Sequence, residues 1–306
     1  MIRPRTSSLR RERTIWLLIF LLPAMGLVVI FTLLPALSAL AYSLYNWTSF
    51  NRGEFVGLEN FRRLFNFPFD QTFINALWHN TIAFVGLMIV QNAVGLFLAY
   101  ALWRQPPGFK FFRAVVFLPV IFSLVVVGFL WKLLLDPLIG PVTKVAFAFG
   151  ADSFAPLGDS RYALYSLILI NAWRWVGFPT LVFLAGMNSI PDDYYEAARL
   201  DGANEAQMFF SITVPLLGPS VTTITVLTFI GAMEWFELPY IMTGVTALAG
   251  ATDTMVMMFY RLAFGGVGDT ATDVGLASAV CVILFVIVGI GSAASALYLR
   301  RREVEM

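Results

Sequence analysis

Ser189-Ile190-Pro191-Asp192-Asp193-Tyr194-Tyr195-Glu196-Ala197-Ala198-Arg199-Leu200-Asp201-Gly202-Ala203 is a charged island between two long apolar runs. Its chemistry predicts a short helix, a sharp turn and a second helix. Pro191 suits the first helical position, where a missing N–H costs nothing. Asp192 and Asp193 fall at the positive end of that helix, and Glu196 to Leu200 are good helix formers. Gly202 can take the left-handed conformation that stops a helix. Asn204 and Gln207 approach the pattern of a capping box, which would open a second helix towards Pro215. Over residues 189–212, five acidic residues (Asp192, Asp193, Glu196, Asp201, Glu205) face Arg199 alone. Any partner groove for this loop is therefore expected to have a basic rim.

Outward from the island, the chain is apolar. Hydrophobic residues make up 59% of the 306 and charged residues 13%, against about 25% charged in soluble domains. Mean hydropathy is +0.78. Apolar segments run over about 15–41, 78–103, 112–135, 163–188, 213–235 and 274–298, each long enough for the roughly 20 residues a membrane helix needs. The fold expected is an all-α integral membrane protein of about six transmembrane helices. Residues 1–14 and 299–306 would be short cytoplasmic ends, and 189–212 a loop on the same side. The first apolar segment follows Arg3, Arg5, Arg10, Arg11 and Arg13. It is too long for a signal peptide and is expected to stay as an anchor.

Basic residues set the expected orientation. Twelve fall on the side of the N-terminus, the 104–113 turn, the island and the tail, and six on the other. That bias places both termini in the cytoplasm and makes 42–77, 136–162 and 236–273 external. Trp47, Phe61, Phe65, Phe67, Phe69 and Phe73 would then lie in an interfacial belt. Pro119, Pro179, Pro215 and Pro219 interrupt the third to fifth segments. Broken helices are tolerated in a membrane where neighbours or a cavity satisfy the freed carbonyls, and they point to a transport path.

Polar residues inside apolar spans are costly and tend to face protein or water. At helical spacing Asn171, Arg174, Trp175 and Phe178 share a face. Thr228, Gly231, Ala232 and Trp235 make a second one, with Glu234 and Glu237 near its outer end. Amides and hydroxyls beside aromatic planes suit a sugar, which offers hydroxyl edges and C–H faces. Packing is the alternative at each position, and Arg174 could be an interhelical anchor paired with a glutamate. Gln91 and Asn92 read as glue between helices. Catalytic signals are missing. Lys110, Lys132 and Lys144 follow Phe, Trp and Thr, so none ends a phosphate loop. His79 and Cys281 are single, and no zinc site or nucleophile triad is apparent.

Glu196-Ala197-Ala198, Asp201-Gly202-Ala203, Phe209, Ile212, Pro215 and Pro219 resemble the "EAA" loop of permease subunits in binding-protein-dependent ABC importers. The spacing is similar to the carbohydrate branch, with the maltose and glycerol-3-phosphate permeases. Asn60-Phe61, Asn80-Thr81, Thr243-Gly244, Tyr260 and Gly275-Leu276-Ala277-Ser278-Ala279 also resemble that family. Val214 replaces a common Leu, and Val245-Thr246-Ala247 replaces a Gly-Gly-Pro-like turn.

The resemblance implies a type I importer permease fold and a non-catalytic subunit without a bound cofactor. Glu196, Ala197, Ala198, Asp201, Gly202 and Ala203 would form a helix coupled to a separate ATPase. A second, homologous permease, two copies of the ATPase carrying ATP and Mg, and an extracytoplasmic sugar-binding protein would complete the assembly. The location implied is a bacterial or archaeal cytoplasmic membrane, with lipid and no nucleic acid as surroundings. Asn171, Arg174, Trp175, Phe178, Thr228 and Trp235 would line the sugar's path. Two alternatives stay open: a related permease for a polyol or glycerol phosphate, and an ion-coupled secondary transporter.

Overall fold

The structure, a computed structural model, describes residues 6–48, 51–150, 155–265 and 272–301. Arg3, Arg5 and Arg302, which entered the charge count, lie outside the described residues, as does the rest of the tail.

An apolar rod opens the chain: α1 (Thr6–Val28), a π-helical turn (Val29–Leu33) and α2 (Leu34–Tyr42). Trp16–Tyr42 is apolar all round and has 0% of its span window buried within the chain. Such a helix needs lipid or another subunit around it. A hairpin follows, β1 (Tyr45–Thr48) antiparallel to β2 (Asn51–Phe55), then α3 (Glu59–Leu64). A second rod comprises α4 (Asp70–Leu87), a π turn (Met88–Asn92) and α5 (Ala93–Trp103).

Next come α6 (Phe109–Ile121), α7 (Leu124–Leu134) and α8 (Pro141–Ala148). Helices α9 (Ala163–Trp175) and α10 (Gly177–Met187) lead to α11 (Asp192–Leu200). Helix α12 (Glu205–Met208), a π turn (Phe209–Thr213), α13 (Val214–Leu216) and α14 (Gly218–Met233) continue the chain. It ends with α15 (Glu237–Thr243), α16 (Met255–Phe264) and α17 (Val274–Arg300).

Three described helices are long and apolar enough to cross a membrane, and up to six spans result if each bent pair counts as one. The bends are 97° between α6 and α7, 47° between α9 and α10, and 67° before α14. Each bend lies close to a proline. Pro119 precedes the extended residues Phe122 and Ser123, and Pro179 and Pro219 open α10 and α14. Proline lacks the donor that would continue the ladder. At the second bend, Gly177 lets α10 touch α6. A Cβ there would lie 2.7 Å from the Val116 carbonyl oxygen and 2.9 Å from Phe117 Cα.

Buried side chains join the helices. Leu87, Leu167, Ile170 and Leu238 form one cluster around α4, α9 and α15. Phe73, Met255, Met258, Leu276 and Val280 tie α4 and α16 to α17. Leu102, Phe183, Met187 and Leu217 bind α5, α10 and the start of α14.

The structure departs from the sequence reading in three places. The hairpin makes the chain mostly rather than wholly helical. Its Tyr, Trp, Thr and Phe are strand formers, and Asn60 of α3 anchors it by donating to the carbonyls of Ser43 (2.9 Å) and Tyr45 (2.8 Å). Helix α4 begins at Asp70, so Phe73 is a core residue rather than a loop aromatic. The stretch 236–273 is not merely a loop, because α15 and α16 bury Leu238, Met242, Met255, Met257 and Met258.

Asn80 is fully buried and holds three elements. Its Nδ2 donates to the carbonyls of Ala232 (2.6 Å) and Met233 (3.1 Å), and its Oδ1 accepts from the N–H of Met255 (2.9 Å). It thereby ends α14 and starts α16. Nearby, the buried Asp253 carboxylate pairs with Arg261, and its backbone carbonyl meets His79 Nδ1 at 2.8 Å.

Candidate functional site

Helices α4, α9, α10 and α14 and the π turn at Met88–Asn92 surround a cavity of about 690 Å³. This lies in the range of small-molecule sites, roughly 300–1,000 Å³. Asn171, Arg174, Trp175 and Phe178 reach it from α9 and α10, and Thr228, Gly231 and Trp235 from α14 and just beyond. Glu234, Phe236 and Glu237 close one side. All six pathway residues proposed from sequence therefore meet in one space. Ala232, placed on the same face by spacing, instead lies fully buried in the core.

Local structure explains the arrangement. Helix α14 ends at Met233, where Asn80 caps the carbonyls of Ala232 and Met233 that the helix leaves unpaired, and residues 234–236 cross the cavity wall in irregular backbone. The Thr254 hydroxyl, donating to the Trp235 carbonyl at 2.7 Å, fixes that segment. Trp175 and Phe178 pack edge to face at 6.3 Å and remain 37% and 38% exposed, which leaves aromatic surface open to the cavity. Arg174 stacks over Trp175 at 4.9 Å and donates to the Phe122 carbonyl at 3.4 Å, an acceptor set free by the α6–α7 break. It forms no direct ion pair among the described residues, and Glu234 and Glu237 line the same cavity.

Sequence reasoning assigned Gln91 and Asn92 together as glue. The structure separates them. Asn92 donates to the Thr228 hydroxyl at 2.9 Å and so links the second rod to α14. Gln91 lines the cavity and bonds only sideways to Asn92 at 3.3 Å, while its Oε1 is shut away from solvent without a partner. The π turn at Met88–Asn92 changes the helical register there. Heptad or 3.6-residue spacing could not have indicated where Gln91 points.

The second candidate element from sequence is the 189–212 loop. Helix α11 begins after Pro191, which stands one place earlier than expected, at the N-cap. Gly202 adopts φ +81°. The capping box is complete, with Asn204 and Gln207 exchanging bonds of 2.7 and 2.9 Å. Glu196, Ala197, Asp201 and Gly202 are exposed, while Ala198 and Ala203 pack partly beneath, against Ile190, Tyr195 and Met208. Tyr195 is the pin: its hydroxyl meets that of Thr213 at 3.0 Å and its ring lies 4.9 Å from Trp103. Burial raises its phenol pKa, which keeps it neutral. Leu200 is 89% exposed and Tyr194 44%, an apolar pair on an otherwise acidic surface.

The profile of the family described as "Binding-protein-dependent transport system inner membrane component" matches residues 91–304. The chain belongs to this family. A probable ABC transporter permease of Bacillus subtilis strain 168 is 34% identical over 88% of this chain and 90% of its own length. The permease of a multiple sugar-binding transport system from Streptococcus mutans is 29% identical over 90% and 92%. A crystallised bacterial ABC transporter that imports alginate contains a chain with TM-score 0.81, 24% identity and coverage of 95% and 96%. That likeness shows the fold alone.

This permease is thus a multi-pass inner-membrane subunit of an ABC importer and has no catalytic role of its own. Its fold is that of type I importer permeases.

Proposed function

We propose that this permease forms part of the membrane path of an ATP-driven sugar importer, with the 690 Å³ cavity as the sugar's passage. One observation carries the reading: amide, hydroxyl and guanidinium groups converge with half-open Trp175 and Phe178 in a single space. Aromatic faces receive C–H surfaces, and the polar groups receive hydroxyls. Relatives named for sugar transport agree with this.

A second permease completes the path, two ATPases bearing ATP and Mg drive it, and an external binding protein delivers the sugar. Both termini face the cytoplasm. Helix α11 seats in a groove of the ATPase, with Glu196, Ala197, Ala198, Asp201, Gly202 and Ala203 as the docking and turning elements. Closure of the ATPases on ATP draws these levers together and opens the cavity outward, and hydrolysis resets it.

The test is uptake of labelled sugars into proteoliposomes holding the complete importer. Accumulation should require ATP and an active ATPase. Accumulation that survives an inactive ATPase and collapses with the proton gradient would overturn the reading in favour of a secondary transporter.

A further inference from the structure

A second cavity, of about 440 Å³, adjoins the first. The two share Leu124, Arg174, Phe236 and Glu237, whereas Ser123 and Tyr240 line the smaller one only. It lies past Met233, at the end of α14 remote from the 189–212 loop.

Four aromatic rings run through its wall. Phe236 and Tyr240 stack at 5.2 Å with their planes 28° apart, and both meet Tyr260 at 5.3 Å. Tyr260 meets Phe264 at 5.2 Å. The first three rings are partly exposed and Phe264 is 63% exposed. The rings thus lead from the protein's surface to the wall between the two cavities.

Aromatics near span ends ordinarily sit in the lipid interface. Phe236 and Tyr240 differ in lining a concave space that also holds Ser123 and Glu237, both exposed. A hydroxyl that donates and accepts and a carboxylate that accepts therefore stand open beside aromatic surface. A lipid chain has no use for these groups, and a packed core would exclude them. A sugar uses both: its C–H face lies on a ring while its hydroxyls stay bonded. Bound there it keeps part of its hydration, so that its water is shed in two steps.

We infer that the smaller cavity is a separate receiving site for a sugar, in which Tyr240 carries the C–H face and Ser123 and Glu237 hold hydroxyls before the solute passes Phe236 into the larger space. This rests on the sugar-path reading and adds a second station to it.

The probe sugar is chosen first, by offering the complete importer in proteoliposomes a panel of neutral and acidic mono- and oligosaccharides. If none accumulates with ATP, the sugar-path reading fails and this inference with it. A sugar that accumulates is then applied to the permease–ATPase complex in lipid nanodiscs, without the binding protein, whose own affinity would mask the result. In a Cys281→Ser background, Ser123→Cys reports on the smaller cavity and Lys144→Cys, exposed and lining neither cavity, is the control. The sugar should slow reaction of a hydrophilic maleimide at Ser123→Cys and leave Lys144→Cys unchanged.

Adding Tyr240→Leu should raise the half-protecting concentration about two- to tenfold, what one aromatic contact is worth. Adding Tyr240→Phe, which keeps the ring, should leave it where it was. No protection at Ser123→Cys by a sugar that the importer accumulates overturns the inference and leaves the sugar path standing. Protection with one midpoint in all three backgrounds also overturns it, because the shielding then comes from a distant change and not from solute on Tyr240.

Discussion

Arg104, at the end of the second rod, and Glu205, the first residue of α12, form an ion pair at 2.9 Å, joined by Tyr100, which donates to the same carboxylate at 3.1 Å. With Trp103 against Tyr195, the pair fastens the 192–212 loop to α5. The same rod carries Asn92, bonded to Thr228 at the cavity. Loop and cavity are therefore linked by continuous contacts along a single rod.

This pair is half exposed, 48% and 51%, so it contributes no more than about 1 kcal/mol to stability. Its effect should lie in coupling. Arg104→Glu should leave thermal unfolding of the complex nearly unchanged but lower solute transported per ATP hydrolysed. Arg104→Glu with Glu205→Arg should restore the ratio. A double variant no better than the single one would show that the pair does not couple.

Asn80 makes a contrasting prediction. Asn80→Ala leaves two buried carbonyls and one N–H unpaired, at about 1–3 kcal/mol each. Thr81→Ala removes only a bond back to Leu77 in its own helix. The first variant should lower the melting temperature or yield of the complex sharply, and the second barely. Equal melting points would mean that Asn80 is not the joint between α4, α14 and α16.

Much of this was legible in the sequence, and the failures share a cause. The helical breaks follow proline, whose effect is local, and the turn at Gly202 and the cap at Asn204 are also local. The cavity faces were readable because Asn171, Arg174, Trp175 and Phe178 keep helical spacing. Gln91 was misjudged because a π turn shifts the register. Asn60 and Asn80 gave no local sign of their roles, since their partners are distant in sequence. The α5–loop contact at Trp103 and Arg104 was unreadable for the same reason.

Leu200 offers a direct test of docking. An 89% exposed leucine that becomes buried in a partner groove contributes about 1.5–3 kcal/mol, roughly ten- to a hundredfold in affinity. Leu200→Asp should leave membrane insertion and the melting of the permease intact. Retention of the ATPase subunit during purification should drop accordingly. Undiminished retention would place Leu200 outside the groove.

Gly202 tests whether the lever needs its turn or only its open space. No atom lies within 4 Å of a Cβ built at this position, so a side chain meets no steric neighbour within the chain. What remains is φ +81°, which Asn tolerates and a β-branched residue does not. Gly202→Asn should therefore retain most ATP-driven uptake. Gly202→Val should lose it while the chain still reaches the membrane, because α12 would leave its place beside Arg104. If Asn and Val both lose uptake, the requirement is for an uncovered surface at the ATPase and not for the left-handed turn alone. Measuring uptake and ATPase retention together separates the two: a turn defect uncouples a bound ATPase, whereas a surface defect releases it.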